Sequence, residues 1–318
     1  MFLLHFRRLV ERLQTSNGCP VKVNTVVITV PPYFTSVERR ATELSAAMAG
    51  MERVKILDDS LAAVLPYIED FPYQERKVFI LDSSQLYTAA YIMSVDKSEA
   101  KPVHVTLLSS HYSKFLRIKD IENRISGHVI DKFKKIDTFS EPASIAIVQH
   151  LLHACKQITG HGSETIEIPP CLVEGKCIAI TITPSRLATL CSDLFRRIIV
   201  PIEEVLEDAG LTALDVADVI IIGCGRFVPQ LTDVLMEVLP PAHIHATIDP
   251  RIAVAEGAAL MASNLLSGNE TSIEIKEWFE CQFRAQATQR LFRLVLNSAS
   301  IHFDHRSFRL LRLYGSYH

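Results

Sequence analysis

Residues 23–51, VNTVVITVPPYFTSVERRATELSAAMAGM, decide the fold of the first part of the chain. The β-branched run 23–30 ends at two prolines, which predicts a buried strand followed by a turn. The alanine-rich run 38–49 predicts a helix, and Gly50 stands where a C-terminal glycine cap belongs. A strand that leads through a turn into a helix is typical of α/β proteins.

The same alternation of strands and helices continues in two blocks, at about residues 1–70 and 76–268. Further strands are predicted at 54–57, 78–81, 89–95, 103–108, 164–168, 176–182 and 218–222. Helices are predicted at 2–14, 61–67, 116–133, 143–158, 184–194, 200–209, 228–238 and 252–263. The pattern therefore predicts an α/β protein with two related lobes and a ligand cleft between them.

Composition restricts the function classes. The 318 residues carry a net charge of −3, which gives no reason to expect nucleic acid or an anionic membrane as partner. The seven cysteines are scattered without a CxxC pair, so reduced core thiols are expected. No GxxxxGK or GxSxG motif occurs, which excludes a P-loop and leaves no hydrolase triad. Only 12 glycines are present, few for a protein that wraps phosphate with glycine loops.

The first predicted helix, residues 2–14, is amphipathic. His5, Arg7 and Arg8 interrupt its apolar residues and make it a poor signal peptide. We expect its apolar face to pack against its own domain, and a membrane-surface or targeting helix is the alternative. That face is formed by Phe2, Phe6, Leu9, Val10 and Leu13.

Two sets of side chains have the residue types of a metal site. His150, His153 and Cys155 fall on one side of a predicted helix, and His243 with His245 would share one side of a strand. Neither set has a fourth ligand nearby, so neither predicts a closed zinc site.

Several segments resemble the nucleotide-binding domain of Hsp70-type chaperones, including the divergent Hsp110/Grp170-type members. They are ITVPPYFTSVERRAT (28–42), SETIEIPPCLVEGKCIAITIT (163–183), ITPSRLATLCSDLFRRIIVPIEEVLEDAG (182–210), VIIIGCGRFVP (219–229) and TIDPRIAVAEGAALMAS (247–263). The resemblance extends over residues 2–267. It implies the actin-like Hsp70 ATPase fold with ribonuclease H-like lobes, N-terminally truncated so that the first lobe is incomplete. It further implies a partial first lobe at 1–70, a second lobe at 71–268 with an insert subdomain at about 116–183, and a tail of unclear structure at 269–318.

The phosphate loops that this resemblance implies are rewritten here. The family's first loop and its catalytic lysine precede the point where this sequence begins. The DLGGGT-like second loop is LDSSQLYTAA (81–90), which retains Asp82 but has Tyr87 where a threonine is expected. The paired glycines of a third loop are replaced by Arg117 and Ile118. A non-glycine residue in a left-handed turn costs about 1–2 kcal/mol, and its side chain would crowd a phosphate.

The resemblance also implies candidate site residues. Asp59 aligns with the acid that positions Mg²⁺ and water, and Asp82 with the acid of the second loop, so both are candidate catalytic and Mg²⁺-binding residues. A helix or turn cap is the alternative role for each. The candidate contacts to ATP or ADP are Gly223, Gly225, Arg226, Lys156 and Tyr87. Phe227 occupies the position of the family's base-stacking arginine, which Arg226 would replace.

These residues predict a degenerate Hsp70-like nucleotide-binding protein with weak or lost ATP binding, acting in chaperone-assisted protein folding. A non-catalytic scaffold, or a co-chaperone and nucleotide-exchange partner of an Hsp70, is the alternative, and a truncated product with little function is a third. An Hsp70 or a co-chaperone is the expected partner, without nucleic acid or membrane. The expected location is the cytoplasm, or the endoplasmic reticulum if a missing N-terminus carried a signal.

Overall fold

The computed structural model describes residues 2–15, 22–84, 87–97, 103–113, 118–136, 166–173, 176–223, 228–267 and 273–276, all within the unit Met1–Glu277. The described strands are β1 (Thr25–Val30), β2 (Arg53–Asp58), β3 (Glu75–Ser83), β4 (Thr88–Asp96), β5 (Val103–Ser113), β6 (Ile166–Val173), β7 (Lys176–Ile182), β8 (Asp218–Gly223), β9 (His243–His245) and β10 (Ile273–Lys276). The described α-helices are α1 (Phe2–Thr15), α2 (Ser36–Met48), α3 (Asp59–Val64), α4 (Ile118–Ile136), α5 (Pro184–Phe195), α6 (Ile199–Ala209), α7 (Val228–Val238) and α8 (Ala253–Ser267).

A mixed sheet of six strands, in the order β10-β5-β4-β3-β8-β9, carries the main core. β3 lies near its centre, antiparallel to β4 and parallel to β8. Phe79 and Leu81 of β3 are fully buried and pack with Leu187 of α5 and with Ile202 and Val205 of α6. Such continuous apolar strands are typical of sheets that are covered on both faces, which explains why the sequence predicted them correctly.

Two smaller sheets accompany the main one. β1 and β2 form a parallel pair, and β6 and β7, both predicted as strands, form an antiparallel pair. Helix α2 packs on β2, and α8 packs on both β1 and α3. This packing places the end of β2 and the start of α3 next to α8.

Gly257 of α8 allows the closest helix contact in this region. A Cβ atom at this position would lie only 1.8 Å from the carbonyl oxygen of Ala62 in α3. The immediate neighbour of this glycine is the backbone of α3, and the helix that contains it also packs on β1. Glycine is therefore required so that α8 can approach α3.

The predicted orientation of α1 is wrong. The apolar face that was expected to pack inward is exposed at Phe2, Phe6, Leu9 and Leu13. The inward side instead carries Arg7, which donates a hydrogen bond of 2.8 Å to the carbonyl of Ala49. A charged side chain fixes this helix because its guanidinium satisfies a carbonyl at the C-terminal end of α2.

Most predicted elements agree with the structure to within a few residues. The predicted cap Gly50 has a positive φ, as does Gly210, which ends α6. Strand β9 was considered only as the strand that would carry His243 and His245, and β10, which pairs with β5, lies within the predicted tail. The predicted helix 143–158 lies outside the described residues. Within the described part of the chain, no helix has both the length and the apolar character needed to cross a bilayer.

Lys97 is a buried charge that ends a short helix. Its Nζ atom donates to the carbonyls of Ile68 (2.9 Å), Glu69 (3.1 Å) and Phe71 (3.1 Å), at the end of the 3₁₀ helix Leu65–Asp70. The ammonium also lies 4.8 Å from the ring centroid of Tyr73. One side chain thus donates to three carbonyl groups at the end of this helix, and one of them, that of Ile68, also accepts the N–H of Phe71.

Replacing Lys97 by methionine should lower the free energy of unfolding by about 2 kcal/mol, because three carbonyls lose a charged donor. Urea denaturation followed by circular dichroism measures this change. Lys22→Met is the matched control, since the ion pair of Lys22 with Glu52 is solvent-exposed and should contribute about 0.5 kcal/mol or less. Equal effects of the two substitutions would show that the Lys97 contacts contribute no more than a surface pair.

Candidate functional site

Three strand ends meet at one edge of the fold. Asp59 begins α3 directly after β2, Asp82 is the penultimate residue of β3, and Gly223 is the last residue of β8. β3 and β8 are parallel, and Ser83 lies opposite Gly223 in the register. Carboxyl ends of parallel strands are common positions for ligand sites in α/β proteins.

Gly223 holds the end of β8 against β3. Its φ is +95°, and an added Cβ would lie 2.4 Å from the carbonyl oxygen of Ser83 and 2.9 Å from Oδ1 of Asp82. Its N–H donates a 3.0 Å hydrogen bond to the carbonyl of Pro250. Only glycine combines this backbone conformation with so close an approach to the Asp82 carboxyl group.

Asp59 and Asp82 form a carboxyl pair with perturbed proton affinity. Burial raises the pKa of Asp59 to about 6, against a hydrogen bond from Thr29 that lowers it. Burial, and then the charge of Asp59, raise the pKa of Asp82 to about 7. The pair therefore favours a proton or a cation near neutral pH, because two buried carboxylates repel each other.

Arg39 organises the turn beside this pair. Its guanidinium forms an ion pair with Asp58 and donates to the carbonyls of Pro32 (3.2 Å) and Phe34 (3.1 Å). The two acceptor carbonyls lie in the turn that follows β1, on either side of Tyr33. The bonds fix the position of Tyr33 between the two acceptor carbonyls.

Three tyrosine rings pack together at the carboxyl pair. The ring centroid of Tyr33 lies 4.8 Å from that of Tyr112 and 6.0 Å from that of Tyr87, and the Tyr87 and Tyr112 centroids are 5.3 Å apart. We call these residues the tyrosine cluster. At these separations the three rings contact one another directly.

Tyr87 links the tyrosine cluster to the carboxyl pair. Its hydroxyl forms a hydrogen bond with Asp82. Burial and the charges of Asp82 and Asp59 raise the pKa of Tyr87, so its phenol stays protonated and donates. Burial also raises the pKa of Tyr33, which shares a hydrogen bond with Tyr87. The Asp82 carboxylate thus already has a donor from within the chain.

The turn between β3 and β4 is closed on itself. The N–H and Oγ of Ser84 donate to the carbonyl of Tyr87 at 3.0 and 2.9 Å, and the N–H of Tyr87 donates to Ser84 Oγ at 3.2 Å. Both backbone N–H groups that flank residues 85–86 are therefore used internally. A phosphate group binds to such a loop through N–H groups that point outward.

The structure brings together four of the sequence-predicted site residues. Asp59, Asp82 and Tyr87 share one site, and Gly223 borders it, whereas Gly225, Arg226 and Lys156 lie outside the described residues. The alternative role as caps finds little support here: the N-cap residue of α3 is Asp58, without a side-chain cap bond, and Asp82 lies inside a strand.

Sequence reasoning missed Thr29, Tyr33 and Tyr112 as members of the site. Tyr33 was visible within the quoted VPPYF segment, where its neighbouring prolines indicated a turn. Tyr112 lies near the end of β5 and had no distinguishing signal in the sequence. Only the pairing of β4 with β5 brings Tyr112 next to the β3–β4 turn.

The structure does not support His243 and His245 as a metal site. His245 lies on β9 and its Nε2 is 2.9 Å from Oδ1 of Asp218, which also forms an ion pair with Arg76. His150, His153 and Cys155 are outside the described residues. Elsewhere in the described chain, no three His, Cys, Asp or Glu side chains form a group that could hold a metal ion. The pair Asp59 and Asp82 remains compatible with a hydrated Mg²⁺, which often uses only one or two carboxylates.

Comparison with known proteins places this site in a family. A family model described as "Hsp70 protein" matches residues 4–277. The chain belongs to the Hsp70 family. The match confirms the resemblance to an Hsp70 nucleotide-binding domain and the predicted actin-like Hsp70 ATPase fold.

Individual Hsp70 relatives match at low identity. A "Heat shock 70 kDa protein 2" of Paracoccidioides lutzii is 29% identical over 260 residues, which are 80% of this chain and 39% of that protein. A "Heat shock cognate 70 kDa protein 3" of Dictyostelium discoideum is 27% identical over 272 residues, 83% of this chain and 42% of that protein. The chain thus spans about two fifths of the length of the Hsp70 relatives that it matches.

Proposed function

We propose that this chain is an Hsp70-like nucleotide-binding domain in which ATP binding is weak or lost, and that it acts in chaperone-assisted protein folding without hydrolysing ATP efficiently. The observation that carries this proposal is the closed turn at Ser84 and Tyr87, whose N–H groups are bonded within the chain. In the resemblance, this turn corresponds to a phosphate loop. A phosphate there would have to replace bonds that the chain already makes.

The carboxyl pair Asp59 and Asp82 is better suited to binding a cation than to binding a phosphate group. Asp59 and Asp82 would hold Mg²⁺ through its water shell, and the raised pKa values indicate that extra positive charge is favoured there. When bound, the metal ion would supply positive charge against a phosphate and lower the pKa of its water. The hydrogen bond from Tyr87 to Asp82 competes with this role.

A role as a non-catalytic scaffold or nucleotide-exchange partner of an Hsp70 is the second candidate. It is favoured by the extensive core that the described chain retains although its phosphate turn is closed. The assignment of 1–70 to a partial first lobe belongs to the same proposal, and the separate β1–β2 sheet supports it. An Hsp70 or a co-chaperone remains the proposed partner in both cases.

Calorimetric titration of the folded chain with ATP and ADP, each with and without Mg²⁺, tests the proposal. We expect dissociation constants weaker than micromolar for all four combinations, because the N–H groups of Ser84 and Tyr87 are already bonded within the chain. Micromolar binding that depends on Mg²⁺ and is lost in Asp59→Ala would contradict the proposal.

Opening the turn should restore part of the affinity. The double substitution Ser84→Gly and Tyr87→Thr removes the Oγ acceptor, the ring and the bond to Asp82. We expect Mg²⁺–ADP to bind at least about tenfold more tightly than to the unmodified chain, which corresponds to one charged hydrogen bond. Tyr112→Phe keeps the third ring of the tyrosine cluster and should leave the affinity unchanged. An equal affinity in the double variant would show that the closed turn is not what limits binding.

A further inference from the structure

Two rings of the tyrosine cluster belong to segments that are far apart in the sequence. Tyr33 lies in the turn after β1, and Tyr112 is the penultimate residue of β5. Their ring centroids are 4.8 Å apart with an interplanar angle of 44°, which is the closest approach within the cluster. Because the rings are tilted and not T-shaped, their edges come together. The ring carbons next to the two phenol oxygens are therefore within reach of each other after a small rotation of the rings.

The backbone holds both of these rings in place. Arg39 donates to the carbonyls on either side of Tyr33, at 3.1 and 3.2 Å. Tyr112 belongs to the ladder between β5 and β4, where it lies opposite Ala89. Both tyrosines are half-buried, so protein surrounds much of each ring. The two phenols consequently remain neighbours as long as the chain is folded.

We propose that Tyr33 and Tyr112 form an oxidative cross-linking site, at which a one-electron oxidant joins the two side chains as dityrosine. Each phenol gives one electron to the oxidant and one proton to the solvent, which leaves two phenoxyl radicals. The radicals form a carbon–carbon bond between their ortho positions. The hydrogen on each of these carbons then moves to the phenol oxygen as a proton, which restores both hydroxyl groups. The chain loses two electrons and two protons in total, and two oxidant molecules take up the electrons.

Tyr87 and Tyr73 are placed less well for the same reaction. The ring of Tyr87 is T-shaped to that of Tyr33, at 6.0 Å and 86°, and lies 5.3 Å from that of Tyr112. Hydrogen bonds to Asp82 and Tyr33 restrain the Tyr87 ring and limit its rotation toward Tyr112. Tyr73 is 70% exposed and lies outside the cluster, so we expect it to couple between molecules.

The new bond would join the two-stranded sheet to the six-stranded one. Tyr33 follows β1, and Tyr112 lies within β5. The bond closes a loop of about 80 residues, and a cross-link over a loop of this length restricts the unfolded chain as a disulfide does. Oxidation would therefore make the chain more stable through a redox response that does not involve its cysteines.

Photo-oxidation of the whole purified chain with tris(bipyridine)ruthenium and persulfate tests this proposal. At low protein concentration we expect dityrosine fluorescence in single chains and not in dimers, because groups that are held together react faster than groups that must diffuse together. Mass spectrometry of a digest should show the peptides of Tyr33 and Tyr112 joined, with two hydrogen atoms fewer than their sum. The urea midpoint of the oxidised chain should rise by roughly 1 M.

Tyr33→Phe and Tyr112→Phe each keep the ring but remove one phenol, and should lower the dityrosine yield at least about tenfold. Tyr73→Phe is the matched control and should give the full yield. Circular dichroism verifies that each variant is folded, and oxidation of the unmodified chain in urea should show no preference for this pair. A full yield in either cluster variant, a link through Tyr87 in place of Tyr33, or links only between molecules would overturn the proposal. So would the absence of any dityrosine.

Discussion

Gly257→Ala should lower the free energy of unfolding by about 3 kcal/mol, although alanine normally stabilises a helix. The added methyl group would meet the carbonyl of Ala62 at 1.8 Å, a backbone atom that cannot move independently of α3. Helices α3 and α8 would have to separate, and the contacts of α8 with β1 would loosen with them. Chemical denaturation with urea measures the loss, which would be a large fraction of the stability of a typical domain.

Gly127→Ala is the matched control for this substitution. Gly127 also lies inside a helix, α4, but an added Cβ there would have no atom within 4 Å. Alanine should therefore raise the stability by about 0.5–1 kcal/mol. The two substitutions are chemically identical and are expected to have opposite signs. A stabilising Gly257→Ala would mean that α3 and α8 are not as close as the structure shows.

Asp82→Asn should raise the free energy of unfolding by about 3 kcal/mol above pH 8. This is somewhat less than the free energy that corresponds to a pKa difference of about three units between the folded and unfolded states. Burial and the charge of Asp59 raise the pKa of Asp82 to about 7 in the folded chain, whereas an unfolded aspartate titrates near 3.9. Between these values the folded state binds more protons than the unfolded state. Stability therefore falls as the pH rises from about 4 to about 7, and asparagine removes this loss.

The test is the difference in stability between Asp82→Asn and the unmodified chain, measured across that pH range. The difference should be close to zero near pH 4 and largest above pH 8. Asp215→Asn is the control, because the backbone N–H and hydroxyl of Thr212 lower the pKa of Asp215. Its substitution should destabilise the chain at high pH. A pH-independent gain in Asp82→Asn would exclude the raised pKa as its cause.

The sequence predicted the strands of the main sheet because their residues are apolar on both sides. Runs such as Phe79–Leu81 and Val219–Ile222 are buried from end to end, and this leaves a continuous hydrophobic signal. The order of the strands and the contact of Gly257 with Ala62 could not be predicted in this way, because they depend on contacts between residues that are distant in the sequence. Strand β9 has only three residues, two of them histidine, which are too few for a periodic pattern to define its bounds.

The orientation of α1 shows why periodicity alone was misleading there. An apolar face normally packs inward, but the bonds of Arg7 to Ala49 and of Glu11 to Val23 hold the other side against the protein. Those partners are 42 and 12 residues away, so no local pattern reveals them. In the same way, the resemblance located Asp59 and Asp82, but the closure of the turn onto Tyr87 depends on backbone geometry.

The tyrosine cluster has a consequence for how the two-stranded and six-stranded sheets can move relative to each other. Tyr33 follows the two-stranded sheet, while Tyr87 and Tyr112 belong to the six-stranded one, so the cluster acts as a clasp across both. Each ring pair contributes about 0.5–1.5 kcal/mol, and the two pairs that include Tyr33 must separate before the two sheets can part. On the proposal that nucleotide binding is weak or lost, the surface formed by the two joined sheets would stay the same whatever the ratio of ATP to ADP.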